Sequence, residues 1–155
     1  MLKYYPEDDQ QSGTLGILLP MNNGGDSIRG GFFNMSRTTE EQAISNYINL
    51  LLTFPGERYM QPDFGIGIQR RLFEPNTEGL RLSIEADIDR QSAFWLPYIN
   101  NHSIEVRERV DIPGMKATDS ENAIQIIITF SVTEDGANHQ LVIFETGGRT
   151  NIQLN

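Results

Sequence analysis

The chain has 155 residues, a formal net charge of −9 at pH 7 and no cysteine. This length predicts one domain, and the lack of cysteine excludes disulfides and thiolate metal sites, which suits assembly in a reducing cytoplasm. The negative net charge argues against binding of nucleic acids, apart from a small basic patch at Gln69–Arg71. The sequence contains no apolar run of about 18 residues, so no membrane span is predicted.

The first segment, residues 1–35, is rich in Gly, Asn, Asp, Gln and Ser and has little periodicity. Such a composition buries too little apolar surface to offset the entropy of ordering, so it predicts an extended arm. One apolar island, Leu15–Pro20, leaves open that the arm becomes ordered on a partner.

A first helix is predicted to begin near Thr38, because Thr38 and Glu41 stand at capping-box spacing. Apolar residues recur from there with a helical period as far as Leu52 and cover about half of the cylinder. We therefore expect this helix to pack on more than one side and to end before Pro55.

A second helix is predicted over residues 77–95, where Pro97 enforces the end. Asp87 and Gln91 lie on or beside its apolar stripe, which is unusual for a helix that faces a core. A partly buried aspartate needs an ionic partner, so Asp87 and the loop residue Asp63 are the candidates to pair with Arg58. Such an ion pair would hold the loop between the helices against the second helix.

The last third of the chain alternates polar and apolar residues, as strands do, over residues 104–110, 124–132 and 140–146. The sum is an α+β fold in which two helices, joined by a rigid Gly/Pro loop, pack on a small antiparallel three-stranded sheet. We expect an arm at 1–35, a domain at 36–146 and a polar tail at 147–155. The strand at Gln140–Glu145 is the candidate edge or donor strand.

Catalytic patterns are weak throughout the chain. A glycosidase needs two acids that flank the scissile bond, and nothing in the spacing pairs any of the five available carboxylates. The two histidines lack a metal-ligand spacing, and Gly65-Ile66-Gly67 lacks the rest of a dinucleotide fingerprint. Gly65 and Gly67 instead predict a short extended piece that lets another backbone come close. The sequence thus predicts no catalytic, cofactor or metal site; the carboxylates are Glu57, Asp63, Glu74, Asp87 and Asp89.

The stretch Gly56–Pro75 reads GERYMQPDFGIGIQRRLFEP. It resembles the signature of the lysozyme-like baseplate wedge family, the gene product 25 family of contractile-tailed phages, with related subunits in type VI secretion baseplates. The shared pattern is Gly-x-Arg, then Pro-x-Phe-Gly, then Leu-Phe-Glu between two helices, and the resemblance covers roughly residues 35–144. Leu96-Pro97-Tyr98 stands where the family usually has Glu-Pro-Arg. Trp95, Leu96 and Tyr98 are therefore expected either to make an apolar contact where relatives use charge or to meet a different partner.

The resemblance implies a structural wedge subunit in the tail baseplate of a virion, assembled in the host cytoplasm, without enzymatic activity or cofactor. Its implied partners are the core-bundle proteins of the wedge, the tail sheath protein, for which it acts as initiator by strand exchange, and proteins near the tail tube. The alternatives are a muramidase-type glycosidase and the equivalent subunit of a secretion system or tailocin. The residues expected to bind partners or to hold the loop are Arg58, Asp63, Phe64, Gly65, Phe73, Glu74, Asp87, Trp95, Leu96, Pro97 and Tyr98.

Overall fold

The computed structural model describes residues 15–19, 34–75, 77–108, 124–133, 136–146 and 149–155. Within these ranges the chain forms three helices and six strands. The helices are α1 (Thr39–Leu52), α2 (Ile68–Arg71) and α3 (Glu78–Trp95). The strands are β1 (Gly16–Ile17), β2 (Met35–Ser36), β3 (Asn100–Glu108), β4 (Ile124–Ser131), β5 (Asn138–Thr146) and β6 (Arg149–Leu154). None of the helices in the described ranges is long and apolar enough to cross a lipid bilayer.

The main sheet is an antiparallel meander in the order β3-β4-β5-β6. Its register aligns isoleucines across three strands, since Ile126 lies opposite Ile143, and Ile143 lies opposite Ile152. Because side chains alternate along a strand, these residues share one face. On that face they form the core together with the buried sides of α1 and α3.

The prediction of a single three-stranded sheet is wrong. Residues 149–154, expected to be part of a polar tail, form the fourth strand, and β1 and β2 form a second, two-stranded sheet. The fourth strand was missed because Arg149, Asn151 and Gln153 alternate with Thr150, Ile152 and Leu154, so its apolar face holds only two large side chains. The division of the chain into arm, domain and tail stays a prediction.

The edges of the sheet also differ from the expectation. β5 pairs with β4 on one side and with β6 on the other, so the prediction of an edge at Gln140–Glu145 is wrong. The two outer strands are β3 and β6. The first strand was predicted as far as Val110, and its last two predicted residues lie outside the described part of the chain.

The helix α1 begins with the predicted capping box. The backbone N–H of Glu41 donates to Thr38 Oγ1 at 3.1 Å, and Glu41 Oε2 accepts from the Thr38 backbone at 3.3 Å. The helix is also buried on more than one side, as its apolar pattern predicted. Ser45, which is buried, donates from its Oγ to the carbonyl of Ile17 at 3.2 Å and accepts from the Leu19 N–H at 3.0 Å. The described part of the apolar island therefore lies against α1.

The helix α3 is confirmed with the predicted end at Trp95, and its buried residues include Leu80, Ile84 and Ile88. A polar network joins it to the other elements. Tyr47 of α1 donates to Asn101 Oδ1 at 2.7 Å, and Asn101 Nδ2 donates to Asp89 Oδ1 at 2.9 Å. Burial, and then the Asp89 carboxylate, raise the pKa of the Tyr47 phenol well above its ordinary value. This side chain therefore stays neutral and buried across the physiological range.

Candidate functional site

The loop that follows α1 turns back, and the chain after it lies again beside the C-terminal end of α1. We call residues 55–63 the tip loop. Its neck is closed by Gly56 N–H, which donates to the carbonyl of Pro62 at 2.8 Å, and by Glu57, whose carboxylate accepts from Phe54 N–H at 2.9 Å. Because hydrogen bonds close the neck of the loop, the residues at the tip, Tyr59 and Met60, are held out from the body of the protein. They are 93% and 85% exposed.

The glycines after the tip loop bond the returning chain to the end of α1. Ile66 N–H donates to the carbonyl of Leu50 at 3.1 Å, and Gly67 N–H donates to that of Thr53 at 2.8 Å. Gly65 has a φ of 106°, and a Cβ at this position would lie 2.3 Å from the carbonyl oxygen of Thr53. The close backbone approach predicted from the glycines is confirmed, whereas the positive φ angles show that the segment is not extended.

Arg58 lies within the tip loop and contacts Gln61 of the same loop and Phe64, the residue that follows the loop. Its guanidinium lies 3.6 Å from the centre of the Phe64 ring and donates to Gln61 Oε1 at 3.1 Å. Asp63 is joined to α3 through its backbone carbonyl, which accepts from Gln91 Nε2 at 3.0 Å. The arginine thus stiffens the loop itself, and Gln91 provides a bond between the loop and α3.

Asp87 pairs with two arginines, Arg71 and Arg90. The sequence offered Arg71 only as part of a basic patch. Arg71 donates to Asp87 Oδ2 at 3.0 Å and lies 3.5 Å from Glu74 Oε2, so it joins α2 to α3. Arg90 donates to the other oxygen of Asp87 at 2.7 Å. No pattern in the sequence pairs residues 71 and 87, because only the packing of α2 against α3 brings them together.

An aromatic cleft of about 390 Å³ lies between the tip loop and the end of α3. Met60 and Pro62 line it from the loop, and Phe94 and Trp95 line it from the helix. Phe94 is 75% exposed, and its ring meets that of Trp95 edge to face with the centroids 5.0 Å apart. Trp95 in turn contacts Phe64 at 5.3 Å, which ties the cleft wall to the core. Met60 and Phe94 were missed from the sequence, where both look like ordinary surface positions.

The remaining expected site residues are distributed unevenly. Leu96 is buried in the core, Pro97 is exposed, and Tyr98 is half-buried with its hydroxyl accepting from Asn46 Nδ2 at 3.2 Å. Phe73, two residues after the end of α2, is 65% exposed. The structure therefore brings Trp95 and Asp63 to the cleft, while Leu96 faces the interior.

The carboxylates near the loop are engaged in structural contacts. Glu57 closes the neck of the tip loop, and Glu74 and Asp87 pair with Arg71. Within the described ranges no three His, Asp or Glu side chains are grouped closely enough to hold a metal ion. His139 Nε2 lies 2.8 Å from Glu40 Oε1, and His102 Nε2 lies 3.0 Å from Ser131 Oγ, so both histidines join structural elements.

Comparison with known proteins adds a family and a fold. A family model described as baseplate wedge protein gp25 matches residues 38–137. A crystal structure of a Geobacter sulfurreducens protein, provisionally named a tail lysozyme, is 28% identical with a TM-score of 0.53, and the match covers 68% of this chain and 88% of that one. In the baseplate of the anti-feeding prophage, a chain 19% identical has a TM-score of 0.57 over 79% of this chain and 86% of that one, which is a likeness of fold. No curated protein gives a significant match.

Proposed function

The chain belongs to the baseplate wedge protein gp25 family, and on that premise we propose that it is a non-enzymatic structural subunit in the baseplate of a contractile tail. We include under this term a phage tail and a related contractile particle of a secretion system or tailocin type. The baseplate role comes from the family. The absence of catalysis, the faces used and the partners that they meet are the parts that we propose.

The observation that carries the proposal is a rigid loop that presents apolar side chains to solvent. Tyr59, Met60 and Phe94 are among the most exposed large apolar residues in the described part of the chain, and Met60 and Phe94 border one cleft. An exposed apolar cluster with bonded walls is typical of a protein–protein contact, because it binds without first ordering a flexible segment. We propose that this cleft meets the core-bundle proteins of the wedge.

The alternative, a glycosidase, is suggested by the name of the Geobacter relative. Such an enzyme needs two carboxyl groups roughly 5–10 Å apart that are free to face a sugar. Asp63 is exposed beside the cleft, but Glu57 accepts a backbone hydrogen bond and Glu74 lies next to Arg71. These engagements favour a structural role for the acids, and peptidoglycan release by the purified protein would argue against it.

A second contact is proposed for the outer strand of the sheet. A free strand edge carries unpaired main-chain groups that can accept a strand from another chain. β6 is the outer strand next to β5, and its six residues are short enough to be extended or displaced by a partner. We propose that β6 is the edge at which the tail sheath protein exchanges a strand, so that the subunit starts the sheath.

The cleft contact is tested by the incorporation of variants into particles. The double variant Met60→Ser and Phe94→Ser removes two exposed apolar side chains without touching the core, so it should fold with an unchanged melting temperature. We expect its amount in purified particles to fall at least about tenfold, since central apolar residues carry most of the energy of an interface. The measurement is quantitative mass spectrometry of purified particles.

Leu82→Ser is the matched control for this experiment. Leu82 is 60% exposed and lies nine positions before Gln91, which places it on the opposite side of α3 from the cleft. This variant should enter particles at the wild-type level. Normal incorporation of the double variant, with the control also normal, would contradict the proposal for the cleft.

A further inference from the structure

A continuous groove runs along the face of α3 next to the tip loop. The aromatic cleft shares Pro62, Asp63, Arg90 and Gln91 with a second cleft of about 400 Å³ that extends to Arg71. One wall is the loop and the other is the helix. The groove therefore passes from an apolar end at Phe94 to a charged end at Asp87.

The charges along this groove are not balanced at every point. At the charged end, Asp87 lies within 3.0 Å of both Arg71 and Arg90. Arg90 also lines the aromatic cleft beside Asp63, but its guanidinium donates to Asp87 Oδ1, so both cations face the carboxylate of Asp87. In the middle, Asp63 is exposed, and no side chain in the described ranges pairs with its carboxylate. The protein as a whole carries a net charge of −9, which adds to the attraction of a cation at this point.

The neighbours of Asp63 suit a side chain that combines a charge with an apolar stem. Met60 and Pro62 offer aliphatic surface on the loop side. Phe94 and Trp95 offer aromatic rings on the helix side, and the negative face of such rings attracts an ammonium or guanidinium group. Lysine and arginine bury their methylene stems on apolar surface while the charged end stays near water.

Gln91 contributes a second acceptor beneath the groove. Its Nε2 is used by the carbonyl of Asp63, and its Oε1 is buried without a donor from the described residues. A buried carbonyl oxygen without a partner is costly, so it gains from any N–H that reaches it.

We propose that this groove takes a lysine or arginine side chain of a baseplate partner, with its charge at Asp63 and its stem between Met60 and Trp95. The inference rests on the proposed function for the existence of a partner, and it adds the chemistry of the residue that is recognised. The partner segment is basic and apolar at this point, and not acidic.

Trp95 is the only tryptophan of the chain, so its fluorescence reports on the groove directly. The full-length protein is titrated with the peptide acetyl-Leu-Lys-Leu-amide and with two peptides in which norleucine or glutamate replaces the lysine. We expect the lysine peptide to change the emission and to bind at least about fivefold more tightly than the norleucine peptide at about 20 mM salt. This preference should shrink at about 300 mM salt.

Two variants make the test specific to Asp63. Asp63→Asn should weaken the lysine peptide about twofold to fivefold and leave the norleucine peptide unchanged. Glu78→Gln, which removes the same charge from an exposed residue at the other end of α3, should change neither. Equal binding of the lysine and norleucine peptides, no binding of either, or no effect of Asp63→Asn would overturn the inference. The peptide titrations do not measure incorporation into particles, which tests the proposed function separately.

Discussion

A methyl group at Gly65 is expected to disturb the whole connection between α1 and the tip loop. Gly65 has a φ of 106°, which costs an L-residue about 1–2 kcal/mol, and its added Cβ would lie 2.3 Å from the backbone oxygen of Thr53. A backbone atom cannot turn away as the end of a side chain can. The clash therefore pushes the segment outward and weakens the bonds from Ile66 to Leu50 and from Gly67 to Thr53.

The magnitude follows from these two terms. Each weakened hydrogen bond contributes about 0.5–1.5 kcal/mol, so Gly65→Ala should lower the free energy of unfolding by about 2–5 kcal/mol. For a chain of this length that corresponds to a fall in melting temperature on the order of 10 °C. Urea unfolding followed by circular dichroism and by Trp95 fluorescence measures the change. The emission of Trp95 should also shift before unfolding, because Phe64, which precedes Gly65, lies against Trp95.

Gly56→Ala is the matched control. Gly56 has a similar positive φ of 91°, but no atom lies within 4 Å of the position where its Cβ would stand. It should therefore lose only the conformational term of about 1–2 kcal/mol. If the two alanine variants were destabilised by the same amount, the close approach to Thr53 would not be what requires a glycine at residue 65.

Two further predictions concern ionisable groups. Arg71→Met keeps the aliphatic stem but removes the bond from α2 to α3, so it should lower the free energy of unfolding in urea by about 1 kcal/mol. Arg70→Met, at an exposed position of the same helix, should cause no measurable change, and equal values for the two variants would contradict the role assigned to Arg71. Tyr47 has a pKa raised by burial and by a nearby carboxylate, so its unfolded state loses the proton first and its contribution to stability is lost as pH rises above about 10. The free energy of unfolding of the wild type should fall faster than that of Tyr47→Phe between about pH 9 and 11, and parallel curves would refute the assignment.

Local signals predicted α1 and α3 well because their ends depend on neighbouring residues. The short helix α2 was not predicted, and it lies in the stretch that was expected to be a loop. The bonds between Thr38 and Glu41 involve positions three apart, and Pro97 stands two residues after the observed end of α3. Gly65 and Gly67 likewise predicted a close backbone contact, since few other reasons place glycines at alternate positions. The family resemblance rested on the same stretch, and the match over residues 38–137 confirms it.

Long-range pairing was harder to foresee. β6 has a weak pattern of its own and becomes a strand because Ile152 meets Ile143 on a sheet that already exists. Arg71, and not Arg58, reaches Asp87, because α2 and α3 pack together and turn these side chains toward one another. The charged residues are known from the sequence, whereas the fold determines which of them lie close together.

Spacings within a few residues were enough to place α1 and α3, the glycine-rich connector between them and the family to which the chain belongs. The packing of distant segments brings Met60 and Phe94, 34 positions apart, to one cleft. It also places Asp63 there, without an ion pair to any of the residues that the structure describes. Such a cleft forms where separate segments meet, and the energies that bring these segments together are summed over the whole core.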